Sequence, residues 1–183
     1  MRDTKNDILK FWFEDSEPKQ WFEKNDDFDQ EITSRFMADY ELAMNDIYNG
    51  WGDSADGCLA LIILFDQFPR NMFRNTPRMF ASDYKALEIA NTVLDKKFDT
   101  DMDLHQKVFS YLPFEHSEDM ADQQTSLKLF KNLQDVGVTY YDYAKQHHDV
   151  IKKFGRFPHR NKILGRHSTK LEEEYLAKPG SGF

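Results

Sequence analysis

Two segments of the chain repeat an arrangement that could hold an anion. One reads LFDQFPRN, from Leu64 to Asn71, and the other KFGRFPHRN, from Lys153 to Asn161. Each is expected to end a helix in Phe-Pro and then presents Arg and Asn, as Arg70-Asn71 and Arg160-Asn161, with Arg74 and Arg166 following. Proline stiffens the backbone at such a point. Arginine offers a planar fork matched to carboxylate or phosphate, and asparagine can orient a ligand or satisfy loose backbone groups. The same residues could equally lock helix ends, each arginine pairing with an acid such as Asp66 or Glu118. From Lys152 to Lys170 the chain has seven basic residues (Lys152, Lys153, Arg156, Arg160, Lys162, Arg166, Lys170), His159 and His167, and no Asp or Glu. The arginines of that stretch need distant partners or a ligand.

A second constellation is YLPFEHSE, Tyr111 to Glu118. Here Ser117 reads as the cap of a helix flanked by His116 and Glu118. A helix start offers N–H groups and the positive end of a dipole to an anion, and histidine can exchange a proton near neutral pH. A purely structural cap with a packed histidine is the plain alternative. The six histidines form no HExxH, and no CxxC accompanies His116, so no metal is expected. GxSxG, P-loop and GxGxxG patterns are absent, and no cofactor is expected.

The elements that must carry these residues read as helical throughout. Asn6 or Asp7 can cap a first helix that Pro18 ends. Asn25 caps a second, with Phe28, Ile32, Phe36, Tyr40, Ala43 and Ile47 as its apolar stripe and Asn49-Gly50 as its end. The run from Leu59 to Phe68 is apolar all round, hence central, and Pro69 should stop it. Thr76-Pro77 should open a helix through Phe80, Tyr84, Leu87, Ala90 and Leu94. Another helix should end at Pro113, and the Ser117 helix should run to Asp135 and Gly137. Thr139 should cap a helix with Tyr140, Ala144, His147, Ile151 and Phe154 on one face and Gly155 at its end. Thr169 to Glu172 forms a capping box for a short last helix before a frayed tail. The expected architecture is all-α, about eight helices with short connections. Residues 1–183 are expected to form a single domain, the last helix and tail taking 171–183.

Composition sets the broad class. Aromatics make up 15% of the chain and include 16 Phe, enough for a compact core. Cys58, the one cysteine, sits in an apolar run and cannot form an internal disulfide. The net charge of −8 disfavours general binding to nucleic acid or anionic membranes. The N-terminus is charged, without a signal-peptide apolar region, and no run approaches the ~20 residues a bilayer span needs. A cytoplasmic location is expected.

FW at 11–12, WF at 21–22, LALIILFDQFPRN at 59–71, YLPFEHSE at 111–118, FGRFPHRN at 154–161 and LGR at 164–166 together resemble a bacterial family catalogued as domain of unknown function 924. The resemblance spans nearly the whole chain and implies a helical fold similar to tetratricopeptide-repeat proteins, with helices stacked as antiparallel hairpins. It brings no activity with it. The motif positions it marks are Asp66, Gln67, Arg70, Asn71, His116, Ser117, Glu118, Arg156, His159, Arg160, Asn161 and Arg166. Asp46 stands where this family usually has glycine.

The sequence therefore favours a small anionic ligand, phosphate- or carboxylate-bearing. Asp66, Gln67, Arg70, Asn71, Arg156, Arg160, Asn161 and Arg166 would bind it, and His116, Glu118 and His159 would be available for acid–base chemistry. The competing expectation is a helical scaffold for a protein or peptide partner.

Overall fold

The computed structural model describes residues 3–133 and 140–181. Every regular element among them is helical, so the protein is all-α. None of these helices is long and apolar enough to cross a membrane. The chain forms two compact units, residues 1–74 with 78–113, and 75–77 with 114–183.

In the first unit, α1 (Thr4–Lys10) is capped by Asp3, which accepts from the Asn6 amide. It continues as a wider π-type turn over Phe11–Asp15. Asp3, rather than Asn6 or Asp7, is the cap. Pro18 opens α2 (Pro18–Phe22), where the missing N–H costs nothing. Asn25 caps α3 (Asp26–Met44) by accepting from Phe28 N at 3.1 Å. Phe28, Ile32, Phe36, Tyr40 and Ala43 of its stripe are buried. Ile47 lies past the helix end and is 64% exposed, because α3 stops earlier than Asn49-Gly50. The helix closes with Asp46 at φ 64, its N–H bonding Ala43 O and that of Ile47 bonding Leu42 O. This is a Schellman close, a motif that favours glycine at the left-handed position.

Ser54 caps α4 (Ala55–Ile62), which runs through a π-type turn at Ile63–Gln67 into α5 (Phe68–Met72). Pro69 does not stop the helix. It lacks the N–H that would bond the Phe65 carbonyl, and Ser82 Oγ donates to that carbonyl instead at 2.6 Å. Thr76-Pro77 leads into a short 3₁₀ turn, Pro77–Phe80, and α6 (Asp83–Asp95) starts later. Its buried face is Ala86, Ala90 and Val93, which leaves Tyr84 exposed. α7 (Leu104–His116) carries Pro113 inside it instead of ending there. Fully buried Trp12 organises the core, with Phe109 at 5.4 Å, Phe68 at 5.7 Å and Phe28 at 6.0 Å between ring centroids.

The second unit takes the end of α7, then α8 (Met120–Lys131), α9 (Tyr140–Phe154) and α10 (Lys170–Leu176). Phe130 near the end of α8 meets Tyr140 at the start of α9, 6.4 Å between centroids, so the two helices run antiparallel. Ala144, His147 and Ile151 of the expected α9 stripe are buried. Gly155, at φ 69, closes α9 with its N–H on Ile151 O. Val150, Ile151 and Phe157 form a core against Met120, Phe154 and Tyr175. The Thr169–Glu172 capping box is present. The expected end at Asp135-Gly137 and cap at Thr139 lie outside the described residues.

Asp46→Gly should stabilise the protein by roughly 0.5 kcal/mol, since glycine reaches the left-handed region without a Cβ clash. The competing loss is the Lys85–Asp46 pair, whose carboxylate is 60% exposed and which is worth little in water. A chemical-denaturation midpoint that falls in the variant would mean the ion pair outweighs the backbone term.

Candidate functional site

In the first unit the motif residues are matched by carboxylates. Arg70 forks onto Asp83 at 3.0 and 3.2 Å and also meets Asp66 Oδ1 at 3.2 Å. Asp66 is fully buried and accepts from the Gln67 amide as well. Burial works against the Arg70 charge, but Asp66 and Asp83 outweigh it and raise its pKa. Asn71 donates to Asp29 Oδ1 at 2.8 Å, and Arg74 pairs with the same carboxylate. Asp66, Gln67, Arg70 and Asn71 are thus knitted into one network that ties α5 to α3 and α6.

In the second unit, Gln123 of α8 reaches back to the end of α7. Its amide donates to Glu115 O and Ser117 O, each at 2.7 Å. Those are carbonyls a helix end leaves without intrahelical partners, so Gln123 fixes the corner that carries Glu115 to Glu118. The cap of α8 is Asp119, accepting from Ala121 N at 2.7 Å, where Ser117 was expected. Ser117 Oγ instead accepts from Asp119 N and donates to Asp122. The start of α8 is served by the protein's own acids.

Glu118 turns toward the basic stretch. It accepts from Phe157 N at 2.7 Å and from the Arg166 fork at 2.7 and 3.0 Å. Arg166 also donates to Asn161 Oδ1 at 2.9 Å and Phe157 O at 3.0 Å. Asn161 donates onward to Ser168 Oγ. Arg156 forks onto Glu172 at 2.7 and 2.8 Å. The stretch without acids of its own therefore finds two of them at a distance.

Phe157 is fully buried and is ringed by basic groups. The guanidinium carbon of Arg160 lies 4.7 Å from its centroid, the His147 ring 5.5 Å and the His159 ring 5.6 Å away. Arg160 is 7% exposed and donates to His116 O at 3.0 Å. The His116 and His147 rings are 6.4 Å apart. His147 Nδ1 is 2.9 Å from Tyr143 O and 3.2 Å from Glu115 Oε1. The second unit thus gathers His116, Glu118, His159, Arg160, Asn161 and Arg166 around Phe157. His147, Glu115 and Gln123 join them, although none was singled out from the sequence. The available signal was a histidine on the otherwise apolar stripe of α9. Among the described residues no group of three or more His, Cys, Asp or Glu is placed to hold a metal ion.

The electrostatics are lopsided. The second unit has 11 basic and 10 acidic residues and the first has 13 and 22. Burial pushes His147 down to about 3, against the Tyr143 carbonyl and with the charges of His116, His159 and Arg160 adding to the shift. Burial likewise pushes His159 down to about 4, helped by Arg160 and opposed by Glu118. Burial pushes the Glu118 carboxyl up, but Arg166 and the Phe157 N–H outweigh it and hold it low. Arg156 holds Glu172 down to about 2 despite its burial.

All four groups make the second unit sensitive to acid. An imidazole whose folded pKa is depressed binds its proton more readily in the unfolded chain, so stability falls as pH drops below ~6.5 toward 4 and 3. A depressed carboxyl contributes stability above its ordinary ~4.5, lost only as pH falls further. Between pH 7 and 5 the loss should come from the histidines. His159→Gln should flatten the pH dependence of amide-exchange protection in α9 over that range. An unchanged slope would show that His159 is not buried neutral.

The chain matches, over residues 8–180, the family described as bacterial protein of unknown function (DUF924). A solved structure, a protein of unknown function, ATU0120, from Agrobacterium tumefaciens, is 40% identical with a TM-score of 0.88, over 94% of this chain and 96% of that one. No protein with a curated description matches. With nearly its full length aligned to one family, the chain belongs to the DUF924 family of bacterial proteins.

Proposed function

We propose that the second unit binds a small anion, phosphate- or carboxylate-bearing, beside Phe157, with Arg160 as its anchor and His116 and His159 as hydrogen-bonding neighbours. What supports this reading most is the gathering of Arg160, His147 and His159 on the buried Phe157 ring, at 4.7, 5.5 and 5.6 Å from its centroid, where burial keeps both imidazoles neutral and the charge of Arg160 acts on both. Burial, the larger cause, disfavours charge of either sign, and the Arg160 charge adds to it; an anion seated against Arg160 would offset that part, and low polarity magnifies the attraction.

The other sequence-marked arginines take a supporting part. Arg156 and Arg166 hold the turn through Glu172 and Glu118, and Asn161 fixes the Arg166 head. Arg70, with Asp66, Gln67 and Asn71, does the same work in the first unit. In this reading the anchor is Arg160 because it lies against the Phe157 ring beside His147 and His159. A charged hydrogen bond contributes roughly 1.5–3 kcal/mol, so two of them, set against association costs, give affinity near the millimolar end of the scale for an anion as small as phosphate.

Calorimetry with inorganic phosphate and citrate tests the reading. Arg160→Lys keeps the charge and loses the fork, and should weaken binding by about tenfold, the worth of one such bond. Arg70→Lys, in the first unit, should leave binding within twofold. Absence of heat and of chemical-shift change at His116 and His159, with either anion at about 10 mM, would refute the site.

A further inference from the structure

Exposed apolar side chains are not scattered over this protein. Among the described residues seven large ones are exposed, and five of the seven fall in two patches. In the first unit Leu42 and Ile47 sit together at the end of α3, where the Ile47 N–H bonds Leu42 O. Lys85 pairs with Asp46 and Arg78 with Glu41, which brings the start of α6, with its exposed Tyr84, beside them. Glu88 and Asp95 follow on the same exposed face of α6, four and eleven residues beyond Tyr84. Neither carboxylate pairs with a cation among the described residues. In the second unit Leu164 lies in the turn before Gly165, which is left-handed at φ 65, and Leu171 lies in the first turn of α10. Asn161, donating to Ser168 Oγ, and Arg156, donating to His167 O and Glu172, tie that turn and helix together. Lys162 and Lys170 are exposed next to the leucines, and Lys152 and Lys153 are exposed at the end of α9. None of these lysines pairs with a carboxylate among the described residues.

Grouped apolar side chains in water favour a partner, and the charges around them decide which. Two copies of the Tyr84 face would set carboxylate against carboxylate, and two copies of the leucine end would set lysine against lysine. Both pairings are repulsive. The two patches are opposite to each other in sign. The first unit carries 22 acidic residues against 13 basic, while Lys152 to Lys170 holds seven basic residues and no acid. We propose that this chain binds a second copy of itself head to tail, the Leu164 and Leu171 end of one copy seated on the Tyr84, Leu42 and Ile47 face of the other. Lys162 and Lys170 then meet Glu88 and Asp95 around an apolar centre. Such a contact is heterologous, each copy offering a different surface. Small patches rimmed by charge make weak contacts that salt loosens.

Sedimentation equilibrium of the full chain at about 100 µM should give a mass above the monomer's in roughly 20 mM salt and the monomer's in roughly 500 mM. Lys162→Glu with Lys170→Glu should leave a monomer in low salt, and so should Glu88→Lys with Asp95→Lys. Lys170 opens α10 and Asp95 ends α6, so those two replacements give each helix end the sign of charge it favours. Mixed in equal amounts, the two variants should associate again, since one keeps the acidic face and the other the lysine end. Leu171→Ser should weaken self-association about tenfold, the worth of burying one leucine. A wild-type chain that stays monomeric in low salt would overturn the proposal. So would variants that associate each on its own, or that remain monomers when mixed.

Discussion

The second unit depends on one carboxylate. Glu118 leaves the corner between α7 and α8 and takes three donors from the basic stretch, the Phe157 amide and both ends of the Arg166 fork. Charge-assisted, bidentate bonds of this kind are stronger than neutral ones and fix direction as well as distance. Through the Phe157 backbone Glu118 places the Phe157 ring, and that ring sets the spacing of His147, His159 and Arg160. Loss of the carboxylate would leave an arginine and a buried-side amide without their acceptor, a costlier defect than a lost surface pair.

The two Phe-Pro segments show how little a shared motif fixes by itself. In the first unit the chain is still helical at Phe68-Pro69, so Arg70 folds back one turn onto Asp66 and reaches Asp83. In the second, Gly155 has already ended α9 in the left-handed region. Phe157-Pro158 then opens a 3₁₀ turn, and Arg160 reaches the end of α7 instead of a residue of its own helix. Asn71 bonds an acid and Asn161 holds an arginine. The letters agree while the preceding turn decides what each side chain meets.

Local signals were legible where the physics is local. Asn25 as a cap, the Thr169–Glu172 box, Gly155 as a stop and the buried faces of α3 and α9 all follow from neighbours within a turn or two. Pro69 and Pro113 misled because each removes a single hydrogen bond, and Ser82, thirteen residues beyond Pro69, replaces the donor at Phe65 O. Ser117 lost the cap to Asp119, a choice between adjacent good cappers that propensity does not separate. The partners of the arginines were the least legible. Glu118 lies 48 residues from Arg166 and Asp29 lies 45 from Arg74. No periodicity links residues so far apart.

The basic stretch places its lysines and its arginines differently. Arg156 and Arg166 pair with Glu172 and Glu118, the charge of Arg160 also acts on Glu118, and the stretch further holds Lys152, Lys153, Lys162 and Lys170. Lysines at the surface keep their hydration and need no partner. Arg160 is different, being buried to 7% exposure against an aromatic face and a helix-end carbonyl. Burying a guanidinium is expensive, and a chain seeking only stability would do better with an apolar side chain against Phe157. Within the second unit that charge helps hold the Glu118 carboxyl low and adds to the burial that keeps His147 and His159 neutral.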